Sequence, residues 1–393
     1  MQPIQSIFTF YKKDLVTLAV RFVDPKKSGC PMIRSLQSFP AEVLERLRAD
    51  AWFYATVIGY TAFGLIYLQG FGQLDGTSHS AYVGPGLWTF AFFMPVVVVL
   101  FDLVRVVHRF DGRRRLAFKR SFSGRRMAAL ASGMALMAGI TLFQGTFTSI
   151  KISFANIHGG FPYDLYLANA DKFLHFGSAP WRHLYAVAQN PTVLAIVEVN
   201  YNVLWHMINF GALFFVVTSP RANRVRMHYL AMFLFVWIVC GNILASMFLS
   251  AGPAFYGNVT GDTARFAEQM AFLAGSDAVN SAAGIQHYLW SLYERGQPGI
   301  GGGISAFPSV HVALITMNAL FLSSYSRGLG GLAFAYVGFV LASSVYLGWH
   351  YAVDGYTSIV IVTLVYHFSR KLFDRQTAAA AAFGISGRSP VIV

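Results

Sequence analysis

The chain has 393 residues, of which 55% are hydrophobic and only 12% charged, with a mean hydropathy of +0.50. A water-soluble domain carries about twice that charged fraction, and several apolar runs exceed the roughly 18 residues that suggest a bilayer span. An ordinary soluble enzyme is excluded and a multi-span membrane protein is implied. The net charge of +13 would suit a nucleic-acid partner only if the cations formed a patch on a soluble face, and their placement below argues for no nucleic acid.

Residues 1–51, with Lys12, Lys13, Lys26 and Lys27 among aromatics, read as a cytoplasmic segment lying on an anionic membrane surface. No cleavable signal is evident, because the apolar stretch from Leu15 to Val23 is short and broken by Arg21. Long apolar runs then predict an all-α polytopic bundle of eight spans, at 52–72, 87–107, 127–147, 193–217, 228–250, 308–325, 331–348 and 352–370. Segments on the N-terminal side of the membrane hold 25 of the 30 Lys and Arg residues. Lys151, Lys172, Arg182, Arg265 and Arg295 lie on the other. Basic residues concentrate in cytoplasmic loops, so both termini are expected in the cytoplasm.

The map divides the chain into the segment 1–51, an extra hairpin with a basic loop over 52–126, a catalytic membrane domain over 127–370 and a cytoplasmic tail over 371–393. Within the third unit, 148–192 and 251–307 are rich in aromatics, Gly and Pro and form a cap over an external site. A helical pattern is predicted from Thr263 to Tyr293, followed by a glycine-rich run, Gly296 to Gly303, that reads as a hinged lid loop. Cys30 and Cys240 are too few and too differently placed for a disulfide framework or a metal site.

On the fourth span Glu198, Asn202, His206 and Asn209 fall on one stripe. Intramembrane polar groups are costly and face a bundle interior, so the stripe is either a proton path or an interhelical hydrogen-bond seam, the second being preferred. Trp181, Trp205, Trp237 and Trp349 near span ends read as membrane-belt anchors.

Chemistry concentrates in two short stretches. Ser305-Ala306-Phe307-Pro308-Ser309-Val310-His311 opens the sixth span from outside. Pro308 suits a first helical turn, and free N–H groups at a helix start, next to flexible glycines, make an anion site for a phosphate. The chain then crosses inward, turns at Ser326-Arg327-Gly328, and returns at Gly348-Trp349-His350-Tyr351-Ala352-Val353-Asp354. One hairpin thus sets His350 at the depth of His311. Asp354, four residues on, shares a helical face with His350 and can fix its tautomer. The set supplies a nucleophile, an orienting carboxylate and a general acid.

The pair Phe-Pro-Ser-Val-His at 307–311 and His-Tyr-Ala-Val-Asp at 350–354 resembles the second and third signature motifs of the type 2 phosphatidic acid phosphatase superfamily, and looks most like its inositol phosphorylceramide synthase and sphingomyelin synthase branch. Each motif alone is weak; the pair, with its histidines 39 residues apart on one membrane face, is specific. The resemblance is strong over 305–370 and extends over the six spans from 127. It implies a two-step, metal-independent phosphoryl transfer: His350 attacks the lipid phosphorus, Asp354 orients it, and His311 protonates the leaving alcohol. Water as acceptor would make a phosphatase, a lipid hydroxyl a transferase. No cofactor and no metal are expected.

Two departures stand out. The phosphatase branch carries an Arg six residues before the nucleophile, where this chain has Ser344, and its first-motif Lys and Arg are missing from Ser250 to Gly257. A lipid phosphate monoester carries close to two negative charges and a phosphodiester one, so the loss favours an intact phospholipid donor and head-group transfer. Ser305, Ser309, Val310, Tyr256 and Arg265 are the substrate-binding candidates, with Arg265 the preferred substitute cation. The competing readings are a lipid phosphate or polyprenyl pyrophosphate phosphatase with the same residues, and a transporter. The transporter is disfavoured because the ionisable cluster sits at one mouth instead of the bilayer midplane.

Overall fold

In the computed structural model, which describes residues 31–109 and 112–382, every regular element is helical. The interfacial reading of residues 1–30, including Cys30, and the tail from 383 onward lie outside the described residues. Helix α1 (Pro31–Ala49) leads into α2 (Ala51–Gly70), and α3 (His79–Arg109) and α4 (Arg114–Ser121) precede the long α5 (Gly124–His158). Two short helices, α6 (Asp164–Leu174) and α7 (Pro180–Ala188), cross the outside of the bundle before α8 (Pro191–Thr218) and α9 (Asn223–Met247). Residues 251–307 hold α10 (Tyr256–Thr260), α11 (Ala267–Leu273) and α12 (Ala282–Arg295). Then come α13 (Val310–Tyr325), α14 (Arg327–Tyr346) and α15 (Ala352–Ala382).

Among the described residues six helices are long and apolar enough to cross a membrane: Ala51–Gly70, His79–Arg109, Arg114–His158, Pro191–Thr218, Asn223–Met247 and Arg327–Tyr346. The protein is an integral membrane protein. Two of the eight expected spans fall short of that standard for physical reasons. Helix α13 has only 16 residues, about 24 Å at 1.5 Å per residue. The first turns of α15 carry Asp354, Tyr356, Thr357 and Ser358, which lower its apolarity. Asp354 and Ser358 are fully buried, turned into the bundle and away from lipid.

The core is organised around α13. Its Val312, Ala313, Leu314, Ile315, Met317 and Ala319 are buried, and α8, α9, α14 and α15 surround it. The return to α14 takes one residue. Ser326 ends α13 and caps α14, its Oγ accepting from the Leu329 N–H at 3.4 Å. Small residues allow the close approach, since a Cβ at Gly330 would stand 2.3 Å from Ser323 Oγ. Outward-facing Phe92, Phe101, Leu364 and Phe368 are exposed, as a lipid-facing shell requires.

Several sequence expectations are corrected by the fold. The predicted helix over 263–293 is two helices, α11 and α12, interrupted around Gly275, with Ser281 capping the second through the Gly284 N–H at 3.1 Å. Trp205 and Trp181 are not belt anchors: each is 2% exposed. Pro308 lies outside its helix, because Ser309 is the cap and Val310 the first helical residue. Beside these corrections, the glycine-rich loop packs on α5, where a Cβ at Gly303 would stand 2.8 Å from the Ile152 N.

Candidate active site

The tight α13–α14 hairpin and the start of α15 bring both motifs to one end of the bundle. His311 occupies the first turn of α13, and His350 lies between the end of α14 and the start of α15. Their ring centroids are 6.2 Å apart. Ser309 joins the two stretches: its N–H donates to the Asp354 carbonyl at 3.3 Å, and its own carbonyl accepts from Ser358 Oγ at 2.9 Å. The Ser309 side chain accepts from the Val312 N–H. Among the described residues the Val310 and His311 N–H groups have no acceptor, as at any helix start.

His350 is held by a backbone carbonyl as well as by the expected carboxylate. Its Nδ1–H donates to the Ala306 carbonyl at 2.7 Å, while Asp354 Oδ2 lies 3.4 Å from the same nitrogen. Oδ2 also accepts from the Tyr351 N–H at 3.0 Å, and Oδ1 is buried without a partner. With Nδ1 committed as donor, Nε2 carries the free lone pair. Burial, opposed by the Ala306 bond and reinforced by the Lys151 ammonium, lowers the His350 pKa to about 3. The imidazole is therefore neutral at physiological pH, as a nitrogen nucleophile must be.

His311 sits in an aromatic box. Tyr201 stacks on it at 4.6 Å and 16°, Trp205 lies at 4.2 Å, and the Trp205 indole N–H donates to the His311 carbonyl at 3.1 Å. A π-helical stretch at Asn200–Leu204 brings both rings to the same neighbour. The sequence held no signal for this. Of the polar stripe, the His206 ring lies 6.2 Å from that of His311, while Glu198 accepts from Ser276 Oγ and the Ala282 N–H, both at 2.7 Å. Asn202 donates to the Asn280 carbonyl and Asn318 donates to Asn209.

Two buried carboxylates of α6 hold the site loops, a role that sequence reasoning assigned to neither. Asp164 accepts from the Ala251 and Gly252 N–H groups at 2.6 and 2.8 Å and from the Tyr351 hydroxyl at 2.8 Å. Asp171 accepts from the Ala352 and Val353 N–H groups, capping α15 from outside its own helix. Burial raises both carboxyls above their ordinary pKa, and these bonds hold them down.

The remaining candidates lie around this frame. Tyr256 is buried, and its hydroxyl accepts from Arg265 Nη1 at 3.2 Å. Arg265 also donates to Asn169 Oδ1 and to the Ala168 carbonyl, so its guanidinium braces α6. Val310 lies beside Phe147 and Gly241. The Ser305 hydroxyl donates weakly to the Phe307 carbonyl at 3.5 Å. No group of His, Cys, Asp and Glu among the described residues could hold a metal ion.

A family model described as the PAP2 superfamily matches residues 165–368. That range contains His311, His350, Asp354 and the α6 carboxylate Asp171, and leaves α1 to α5 outside it. No curated protein and no solved structure matches the chain.

Proposed function

The chain belongs to the PAP2 superfamily, whose members are phosphatases and phosphotransferases of lipids, and from that premise we propose that it transfers a phospho-head group from a phospholipid to a lipid hydroxyl. The reaction runs at the non-cytoplasmic face, within the inositol phosphorylceramide synthase and sphingomyelin synthase type of chemistry. The observation that carries the reading is the fixed tautomer of His350, whose Nδ1 is committed to the Ala306 carbonyl and whose ring lies 6.2 Å from that of His311.

His350 Nε2 attacks phosphorus, forming an N–P bond as the P–O bond to the diacylglycerol-type leaving group breaks. His311 gives that oxygen its proton. The acceptor hydroxyl then attacks phosphorus, the N–P bond breaks, and the acceptor proton goes to His311, restoring both histidines. Asp354 stabilises the positive charge that His350 gains on attack. The histidine–carboxylate frame orients both steps, so most of the protein's contribution is positioning.

A product assay on the purified chain in mixed micelles tests this. Labelled phosphatidylinositol and phosphatidate are offered with and without ceramide or diacylglycerol. A new phospholipid that requires the acceptor, and that is lost in His350→Ala, is the expected result. Phosphate release from phosphatidate regardless of acceptor would make the protein a phosphatase with the same residues.

A further inference from the structure

Lys151 lies on α5, outside the segment that matches the family, and its Nζ makes no hydrogen bond or ion pair among the described residues. It follows Phe147 by four residues, so both occupy one face of the helix with Lys151 one turn further out. That face looks onto the start of α13. A Cβ at Gly241 would meet Phe147 Cε2 at 2.7 Å and Val310 Cγ2 at 3.2 Å, and Val310 precedes His311.

The glycine-rich loop closes the other side. Gly303, at φ +83°, brings its backbone against Lys151, where a Cβ would stand 2.9 Å from Lys151 Cγ. No other residue type fits without displacing α5. Three residues on, Ala306 supplies the carbonyl that holds His350. Tyr82 ties loop to helix, accepting from the Gly301 N–H at 2.9 Å and pairing with Thr148 Oγ1 at 2.8 Å. Lys151, Gly303 and Ile304 line a small cavity there.

Three of the other external cations are engaged elsewhere. Arg265 braces α6, Arg182 pairs with Glu268 at 3.2 Å, and Arg295 donates to the Ser291 carbonyl and hydroxyl. A half-buried ammonium without a counter-charge is costly, and a bound anion would remove that cost.

Resting on the phosphotransferase reading above, we propose that Lys151 binds a non-bridging phosphate oxygen of the substrate at the His311–His350 centre. It does there what the absent Arg and Lys of the phosphatase branch would do. One ammonium matches the single charge of a phosphodiester, which makes an intact phospholipid the donor. Consistently, the Lys151 charge reaches His350 strongly enough to help lower its pKa, after burial.

The test uses the full chain in mixed micelles, with inorganic phosphate as the probe of the resting protein and phosphatidylinositol and phosphatidate as donors. Lys151→Gln should weaken phosphate binding about 10-fold and lower kcat/KM about 100-fold. Lys151→Arg should recover most of both, and Lys172→Ala should change neither. Phosphate affinity within twofold of wild type in folded Lys151→Gln overturns the proposal, and so does a wild-type preference for phosphatidate over the diester. If Lys151→Gln does not fold, a phosphate-induced shift of the wild-type Lys151 NMR signals decides, its absence counting against the proposal. Phosphate binding needs no turnover, so a failure of the transferase reading, seen as His350-independent activity, remains separate from a failure at Lys151.

Discussion

Asp171 accepts from the Ala352 N–H at 3.1 Å across 181 residues of chain, and from the Val353 N–H at 3.0 Å. The helix that carries Asp354 is thus capped from outside, in addition to the bond that Asp354 Oδ2 accepts from the Tyr351 N–H. Its first turn is positioned by α6, which also docks through His175 Nε2 and the Tyr356 hydroxyl at 3.0 Å.

Removing that cap should misplace Asp354 and His350 together. Asp171→Ala is expected to cost about 1–3 kcal/mol of stability, as for a buried donor left unpaired, and to reduce kcat about 10- to 100-fold through displacement of the reacting groups. KM should stay within twofold. Asp171→Asn keeps one acceptor oxygen and should fall between. Steady-state kinetics and thermal unfolding in detergent check this, and an unchanged kcat in a destabilised Asp171→Ala would reduce the residue to a structural part.

The burial of His350 predicts a pH dependence of stability. Its pKa is about 3 in the folded protein and about 6.5 in the unfolded chain. A depressed folded pKa means that the unfolded state takes up the proton first as pH falls. The contribution is thus intact above about pH 6.5 and is lost progressively between there and pH 3. Thermal unfolding of wild type should weaken over that window, and His350→Gln should show a shallower decline. Equal slopes for the two proteins would contradict the burial argument.

The aromatic box gives a graded prediction. Trp205→Phe keeps a ring beside His311 but loses the 3.1 Å bond to its carbonyl, and Tyr201→Leu removes the parallel stack at 4.6 Å. Each should lower kcat about 3- to 10-fold, since such contacts contribute about 0.5–1.5 kcal/mol. Tyr201→Phe should stay near wild type. A loss in Tyr201→Phe as large as in Tyr201→Leu would instead point to the hydroxyl.

Glu198 anchors the start of α12, accepting from Ser276 Oγ and the Ala282 N–H. Glu198→Gln confronts the Ala282 N–H with an amide and should cost about 1–3 kcal/mol, while turnover at 25 °C stays within twofold. A tenfold fall in kcat without a fall in unfolding temperature would reinstate the proton-path reading of that stripe.

That His311, His350 and Asp354 come together was legible because they sit at the ends of consecutive apolar helices. A hairpin of apolar helices can only return its ends to the same side of a membrane, so linear order alone set His350 near His311. The distance between them, and the commitment of Nδ1 to Ala306, were not legible, because Ala306 reaches His350 across 44 residues through a loop whose path depends on packing. Trp205 was misread for a related reason: proximity to a span end suggests an interfacial anchor, and only the neighbouring helix shows that the ring is covered by His311.

Composition and apolar run length by themselves determined an all-helical membrane protein, since lipid leaves backbone N–H and C=O groups no partner except those within a helix. Motif residues and their order singled out His311, His350 and Asp354, which the fold brings together at one end of the bundle. The tertiary structure decided what surrounds it: Asp164 and Asp171 under the loops, Tyr201 and Trp205 around His311, and Lys151 against Gly303. These are contacts between segments far apart in the chain. Their formation depends on how helices pack and where a turn widens, which no local spacing encodes.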